Sequence, residues 1–464
     1  MNCHDTIVAI ATPVGIGGIG IIRISGSRSS EIVEKIFRKR KNRSIPALQP
    51  YRFYLGEIFD PLTEEVIDEV LLVSMPGPRS YTCEDVIEIQ CHSGYLVLQR
   101  ILDLVLGQEG VRLAEPGEFT RRAFVNGRID LTQVEAVIDL IRARTDSALR
   151  QATGQLGGML SRRMAGFKER LITLLANIDS SIDFPEEDLD TLPPEEILGR
   201  LRELEQELVL LVSTYREGKI FREGLNAAII GRPNVGKSSL LNALLEEERA
   251  IVCHLPGTTR DTIEETVNIL GIAVTLIDTA GLPLSSIANP AERKGVDLTR
   301  AKALEADIVL FVLDGSSPFT SNDMAIFEEI QDKKMVVILN KADLPPQLTI
   351  GSLPEQLQRK VAYSVSARYC LGIDALKRGI RDVIMHNQEL SYSPVFINRV
   401  RHKVSLDKAV EAIGTGIRNL ESNVPAECLA MDLTLALKYL GEIAGETSTE
   451  DVLEHIFSEF CIGK

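Results

Sequence analysis

Apolar positions recur along this chain with two different periods, and the switches between them divide it. Over roughly the first 115 residues, short apolar and β-branched runs dominate: "TIVAIA" and "IGIIRIS" flank the glycine-rich turn "TPVGIGGIG", and the turn residues "PGPRS" part "DEVLLVSM" from "DVIEIQCH". These runs predict strands in a mixed α and β region. From about residue 119 to 218 the spacing becomes helical. "LTQVEAVIDLI" sets Leu131, Val134, Val137, Ile138 and Ile141 on one face, with Thr132 and Glu135 at the spacing of a capping box. Ile197, Leu201, Leu204, Leu208 and Leu211 form a heptad-like stripe, short enough to predict packing within a bundle rather than a free coiled coil. Prolines and acidic residues in "IDFPEEDLDTLPPEE" interrupt these helices.

Residues 221 to about 380 alternate short apolar runs with helical stretches, the pattern of a parallel α/β sheet, and the chain is helical again after about 395. An α/β unit therefore interrupts a helical one.

The 464 residues suffice for two to four domains, with 44% hydrophobic content for their cores. Seven cysteines without a C-x-x-C pair argue against a disulfide framework or a zinc knuckle, and six scattered histidines against a transition-metal centre. The N-terminal "MNCHDTIVAI" lacks the basic and long apolar regions of a secretion signal, and no run approaches the length of a membrane span. The expectation is a reduced, cytoplasmic protein with no membrane association. A net charge of −15 disfavours wholesale non-specific binding to nucleic acid, and the basic run "RKRKNR" (Arg38 to Arg43) reads as a solvated helix end.

"GRPNVGKSS" (Gly231 to Ser239) lies between the apolar run "AAII" and the helical "LLNALL", the strand–loop–helix setting of a phosphate-binding loop. Asn234, Val235, Gly236, Lys237, Ser238 and Ser239 form its phosphate-facing part, with Lys237 reaching the β- and γ-phosphates and the Ser238 hydroxyl a magnesium ligand. "DTAG" (Asp278, Thr279, Ala280, Gly281) follows the apolar run "VTLI"; Asp278 can hold magnesium through water, and the Gly281 N–H can meet the γ-phosphate. Between them, "GTTRD" supplies Gly257, Thr258 and Thr259, the last a second hydroxyl for magnesium. "NKAD" supplies Asn340, Lys341 and Asp343, whose carboxylate matches the two adjacent donors of guanine that adenine lacks. "SAR" (Ser366, Ala367, Arg368) would back the base with a backbone N–H. Order and spacing resemble the GTPase superfamily throughout. The fold class expected is a multidomain α/β chain: an N-terminal α+β domain (1–118), a discontinuous helical bundle (119–220 and 381–464) and an inserted P-loop, Ras-like GTPase domain (221–380).

Leu282 stands where many GTPases carry a water-orienting glutamine. Arg260 and Arg293 are nearby finger candidates, although exposed arginines are more often solvated surface. Asn234 can instead offer its side-chain oxygen to a monovalent cation, which would offset charge between the β- and γ-phosphates.

"DTIVAIATP", "GGIGIIRISG", "YTCEDVIEIQCH", "PGEFTRRAF", "IDFPEE", the nucleotide motifs and the terminal "FCIGK" together resemble the MnmE (TrmE) family of tRNA wobble-uridine modification GTPases over essentially the whole chain. The resemblance implies a constitutive homodimer through the N-terminal domain, which binds 5-formyltetrahydrofolate, and an FAD-dependent partner of the MnmG type. It implies the addition of aminomethyl-type groups at carbon 5 of the wobble uridine. It maps folate contacts to Arg23, Glu88, Arg128 and Lys464, with Arg128 where relatives can have lysine. It further implies that the G domains pair in a potassium-dependent way, with Asn234 and the backbone oxygens of Cys253, Leu255 and Thr258 around the ion. Glu292, counted back from Gly295, corresponds to the glutamate that orients the catalytic water, in a stretch, "PLSSIANPAERKG", about two residues longer than the family pattern.

Cys461 fits a prenylation box poorly, being followed by Ile462, Gly463 and Lys464; it stays open between thiol chemistry and packing, with packing favoured. Two other functions stay open, a ribosome-assembly GTPase and a folate-dependent one-carbon transferase regulated by GTP.

Overall fold

The computed structural model describes residues 5–39, 48–183, 192–246, 264–278, 305–385, 395–422, 424–447 and 450–464. Two compact units emerge, one comprising Met1–Ile138, Leu156–Leu175 and Leu437–Lys464, the other Asp139–Gln155 and Ala176–Ala436.

The first unit is built on a seven-stranded sheet. Its strands are β1 (Thr6–Ile10), β2 (Gly20–Ser25), β3 (Phe37–Arg38), β4 (Phe53–Phe59), β5 (Val66–Met75), β6 (Val86–Cys91) and β7 (Val111–Leu113), in the order β3-β4-β5-β6-β2-β1-β7. All pairings are antiparallel except β1 with β7. Alternation along β2 and β6 turns Ile22, Ile24, Ile87 and Ile89 into a core shared with the helices Ser29–Ile36 and Tyr95–Leu106. The same period of two puts Arg23 and Glu88, directly paired in register, on the opposite face.

The helix Leu131–Arg142 buries Leu131, Val134, Val137 and Ile138 against Ile456, Phe457 and Phe460 near the C-terminus. Ile141 departs from the expected face and is 56% exposed; the apolar cluster reaches no further than Ile138. The cap also differs from expectation. Asp130 Oδ1 accepts the Gln133 N–H at 3.1 Å, while Gln133 Oε1 accepts the Asp130 N–H at 3.0 Å. That reciprocal pair closes the helix start two residues before Thr132, which with Glu135 is buried inside the helix.

In the second unit, Ile197, Leu201, Leu204, Leu208 and Leu211 all turn inward along the helix Pro194–Ser213, which packs against Val400–Glu421. The stripe is thus a bundle contact. The unit's sheet consists of β8 (Leu225–Ile230), β9 (Glu264–Ile269), β10 (Ile272–Asp278), β11 (Ile308–Asp314), β12 (Met335–Asn340) and β13 (Val361–Ser364), ordered β13-β12-β11-β8-β10-β9. Only β9 runs antiparallel. The interior strands are apolar without alternation because both faces are covered. Ile229, Leu310, Val312 and Ile338 enter one core, and Ala228, Phe311, Val337 and Leu339 the other. Among the described residues no helix is long and apolar enough to cross a membrane.

Candidate functional site

The carboxyl ends of parallel strands in an open α/β sheet are where ligands bind. Here those ends carry the nucleotide motifs. The chain leaves β8 at Ile230, turns through Gly231 to Gly236, and enters the helix Lys237–Glu246. Asn234 and Gly236 take left-handed conformations, φ 64° and 96°, and a Cβ on Gly236 would collide with the Asn340 amide nitrogen. Val235 is buried, whereas Asn234, Ser238 and Ser239 are exposed. The Lys237 ammonium folds back onto the carbonyls of Gly231 and Arg232, donating to each at 2.9 Å. Arg232 is itself tied down, its Nε donating to Asp323 Oδ1 at 2.6 Å. Asp323 is 1% exposed, and its second oxygen accepts from the Thr320 N–H and hydroxyl in the capping box of the helix Ser321–Ile330.

Asn340, at the end of β12 and 2% exposed, does not point freely at a ligand. Its Nδ2 donates to the Val235 carbonyl at 2.9 Å and its Oδ1 accepts the Ala367 N–H at 3.0 Å. One side chain therefore ties the phosphate loop to the "SAR" segment, and the Ala367 N–H is spent on it. Lys341, at φ 65°, donates to Asp314 Oδ2 at 2.6 Å. Burial pushes the Asp314 carboxyl up, but bonds from Lys341 and Ser316 outweigh this and hold it below its usual range. The buried Ser366 hydroxyl donates to Asp343 Oδ1 at 2.6 Å, fixing an otherwise exposed carboxylate. Arg368 lies over the Tyr369 ring.

Asp278 closes β10 in register with Ile229 of β8, next to the phosphate loop. Cys253, Leu255, Gly257, Thr258, Thr259, Thr279, Ala280, Gly281 and Glu292 lie outside the described residues, as do Arg260, Leu282 and Arg293. Arg232, Asp314 and Asp323 carry no motif role of their own, yet they brace the motif residues Lys237 and Lys341. The spacing "TSND" (Thr320 to Asp323) ahead of an apolar run is a legible capping signal, but nothing in it announces Arg232 as a partner.

In the first unit, Arg23, Glu88 and Lys464 of the expected folate contacts meet at the C-terminal tail. Arg23 bonds Glu88 Oε1 through Nε at 2.9 Å, and its Nη1 donates to the Gly463 carbonyl at 3.3 Å. Gly463 is left-handed, φ 97°, and a Cβ there would collide with the Ile10 carbonyl, so the tail lies flush on the end of β1. Burial and the Arg23 charge push the Lys464 ammonium below its ordinary range, with Glu88 partly offsetting them. Arg128 donates to the Tyr81 carbonyl at 2.8 Å, and Arg23 and Arg128 both lie against the Tyr81 ring. Cys461 is exposed beyond the end of the helix Glu450–Ser458, which corrects the packing expectation; Phe457 and Phe460 fill the core instead.

An ion network missed by motif reading backs this face. Arg122, from "PGEFTRRAF", is buried and bonded to Asp5, Glu84 and Glu118, and Arg112 joins Asp5 to Glu118. Of these pairs, only Glu118–Arg122 sits at the one-turn helical spacing that sequence encodes.

Comparison with known proteins places these features in one family. A family model described as the MnmE helical domain matches residues 131–461, and one described as the GTP-binding protein TrmE N-terminus matches residues 6–128. The chain is 47% identical over 465 residues to the tRNA modification GTPase MnmE of Geotalea uraniireducens, covering 100% of both chains. It is 45% identical over 465 residues to that of Geobacter sulfurreducens and 43% over 464 residues to that of Alkaliphilus oremlandii, again with 100% of each covered. With a family model spanning most of its length and full-length relatives at this identity, the chain belongs to the MnmE (TrmE) family of tRNA modification GTPases.

Proposed function

We propose that this chain hydrolyses GTP to drive modification of the tRNA wobble uridine, adding aminomethyl-type groups at carbon 5 together with an FAD-dependent partner of the MnmG type. The observation that carries this reading is the meeting of Lys237, Asn340, Asp343 and Ser366 at the carboxyl edge of one parallel sheet, in a chain related over its full length to tRNA modification GTPases. We assign the phosphates to Asn234 through Ser239 and the base to Asn340, Lys341, Asp343 and Ser366 to Arg368. Gly257 to Thr259 and Asp278 to Gly281 would form the switch segments.

The Ser238 hydroxyl is exposed in the first turn of its helix, and Asp278 ends the adjacent strand. Hydroxyl oxygens are among the hard donors magnesium takes, so Ser238 and Thr259 would hold it, with Asp278 acting through water. The exposed Asn234 amide oxygen is likewise a fitting donor for potassium, which Cys253, Leu255 and Thr258 would share. When bound, such cations would supply charge neutralisation to the phosphates. Leu282 cannot position water by hydrogen bonding, so we assign that task to Glu292, within G domains that pair.

Arg23, Glu88, Arg128 and Lys464 would hold 5-formyltetrahydrofolate, whose anionic groups suit three cations gathered at one corner. A homodimer through the N-terminal domain is supported by exposed apolar side chains there, among them Val14, Ile16, Ile19, Phe53 and Leu55. We divide the chain at 1–118, 119–220, 221–380 and 381–464 and place it in the cytoplasm.

Asp343→Asn tests the base assignment. GTP affinity should fall and xanthosine triphosphate be accepted, because the new amide can donate to its 2-oxo group. Unchanged GTP binding in a titration would remove Asp343 from the site.

A further inference from the structure

Arg23 and Arg128 come from β2 and from the turn after the helix Glu118–Val125, and as like charges they repel each other. Tyr81 is the ring both guanidinium carbons approach, 5.7 Å (Arg23) and 4.9 Å (Arg128) from its centre, while Arg23 also lies 5.6 Å from the centre of Phe119 and pairs with Glu88. At these separations each cation is drawn to the ring's electron-rich face. The ring is held at both ends: its hydroxyl shares a 3.0 Å hydrogen bond with Thr120 Oγ1, and its backbone carbonyl accepts from Arg128 at 2.8 Å. It also packs on the small cluster of Ile7, Ala9, Ala114 and Phe119.

We infer that Tyr81 is a positioning residue of the tail corner, its aromatic face holding Arg23 and Arg128 together so that they grip one anionic ligand; this rests on the folate reading above. An ordered pair of guanidiniums loses less side-chain freedom on binding than two free ones. The ring also offsets their mutual repulsion, which otherwise opposes closing on the ligand. A purely structural tyrosine would need its apolar body and its hydroxyl bond to Thr120. A positioning tyrosine needs its π face.

Calorimetry with 5-formyltetrahydrofolate on the full-length chain separates these roles. Tyr81→Phe keeps the face and loses the hydroxyl, and should bind within about two-fold of wild type. Tyr81→Leu keeps apolar bulk and loses the face, and should bind about ten-fold more weakly. Tyr81→Met repeats that comparison should leucine disturb the packing, and GDP titration of every variant reports whether the rest of the chain is intact. Equal binding by the wild type and the leucine and methionine variants would overturn this inference alone, as would a phenylalanine variant as weak as leucine. A wild type that takes up no folate would overturn the folate reading and this inference with it.

Discussion

Asn340 spans 105 positions of sequence to donate its side-chain amide to the carbonyl of Val235, so the end of β12 and the loop after β8 share one buried crosslink. Removing it leaves two buried backbone groups without partners, the Val235 carbonyl and the Ala367 N–H. Each such loss costs about 1–3 kcal/mol. Asn340→Ala should therefore weaken GDP and GTP alike, by about 10- to 100-fold, with Asp343 itself untouched. Titration with a fluorescent guanine nucleotide checks this, and affinity within two-fold of wild type would contradict it.

A second brace acts from the other side of the loop. Arg232 carries one of the carbonyls that receive Lys237 and is anchored by the buried Asp323. Breaking a buried ion pair from one side typically costs about 3–5 kcal/mol; the partial exposure of Arg232, 23%, places this pair toward the lower end. Arg232→Ala should loosen the helix Ser321–Ile330 and lower GTP affinity about ten-fold. Arg232→Lys should recover part of that loss, since it restores charge without the guanidinium geometry. Hydrogen exchange over residues 321–330 together with nucleotide titration reads both effects, and an alanine variant unchanged in each would refute the brace.

The network around Arg122 makes the N-terminal unit sensitive to acid. Burial alone would raise the Asp5 and Glu118 carboxyls, yet bonds from Arg112 and Arg122 bring both below their usual values. Their stabilisation is complete above the unfolded carboxylate range, about pH 4, and is lost as pH falls through the depressed folded values. Arg112→Gln should then reduce the protection of β1 amides at pH 7 by about 1 kcal/mol, a modest figure because Arg112 is 39% exposed. The difference should shrink as pH falls below about 4, through the depressed folded values. A deficit that stays equal as the pH is lowered would show that Arg112 acts through packing alone.

The nucleotide motifs were legible because each is a short contiguous string whose chemistry is local: a glycine loop before a helix, a carboxylate after an apolar strand. Unbroken apolar runs likewise announced strands covered on both faces. What was not legible joins residues distant in sequence. Asn340 to Val235, Arg232 to Asp323 and Arg23 to Gly463 depend on where strand ends meet, which no local pattern encodes. Periodicity also overreached at helix ends. Ile141 keeps the apolar phase but lies beyond the cluster it should join, and the helix is capped by Asp130 two residues ahead of the Thr132–Glu135 spacing. Cys461 looked like core on residue type alone, whereas the neighbouring Phe460 takes that place.

GTP-driven modification is tested by mass-spectrometric tRNA nucleoside analysis after incubating the chain with an FAD-dependent protein of the MnmG type, a tetrahydrofolate one-carbon donor and unmodified tRNA in potassium buffer. A modified wobble uridine is expected with GTP and none with a non-hydrolysable GTP analogue. Equal modification with the analogue would contradict the claim that GTP hydrolysis by this chain drives the reaction.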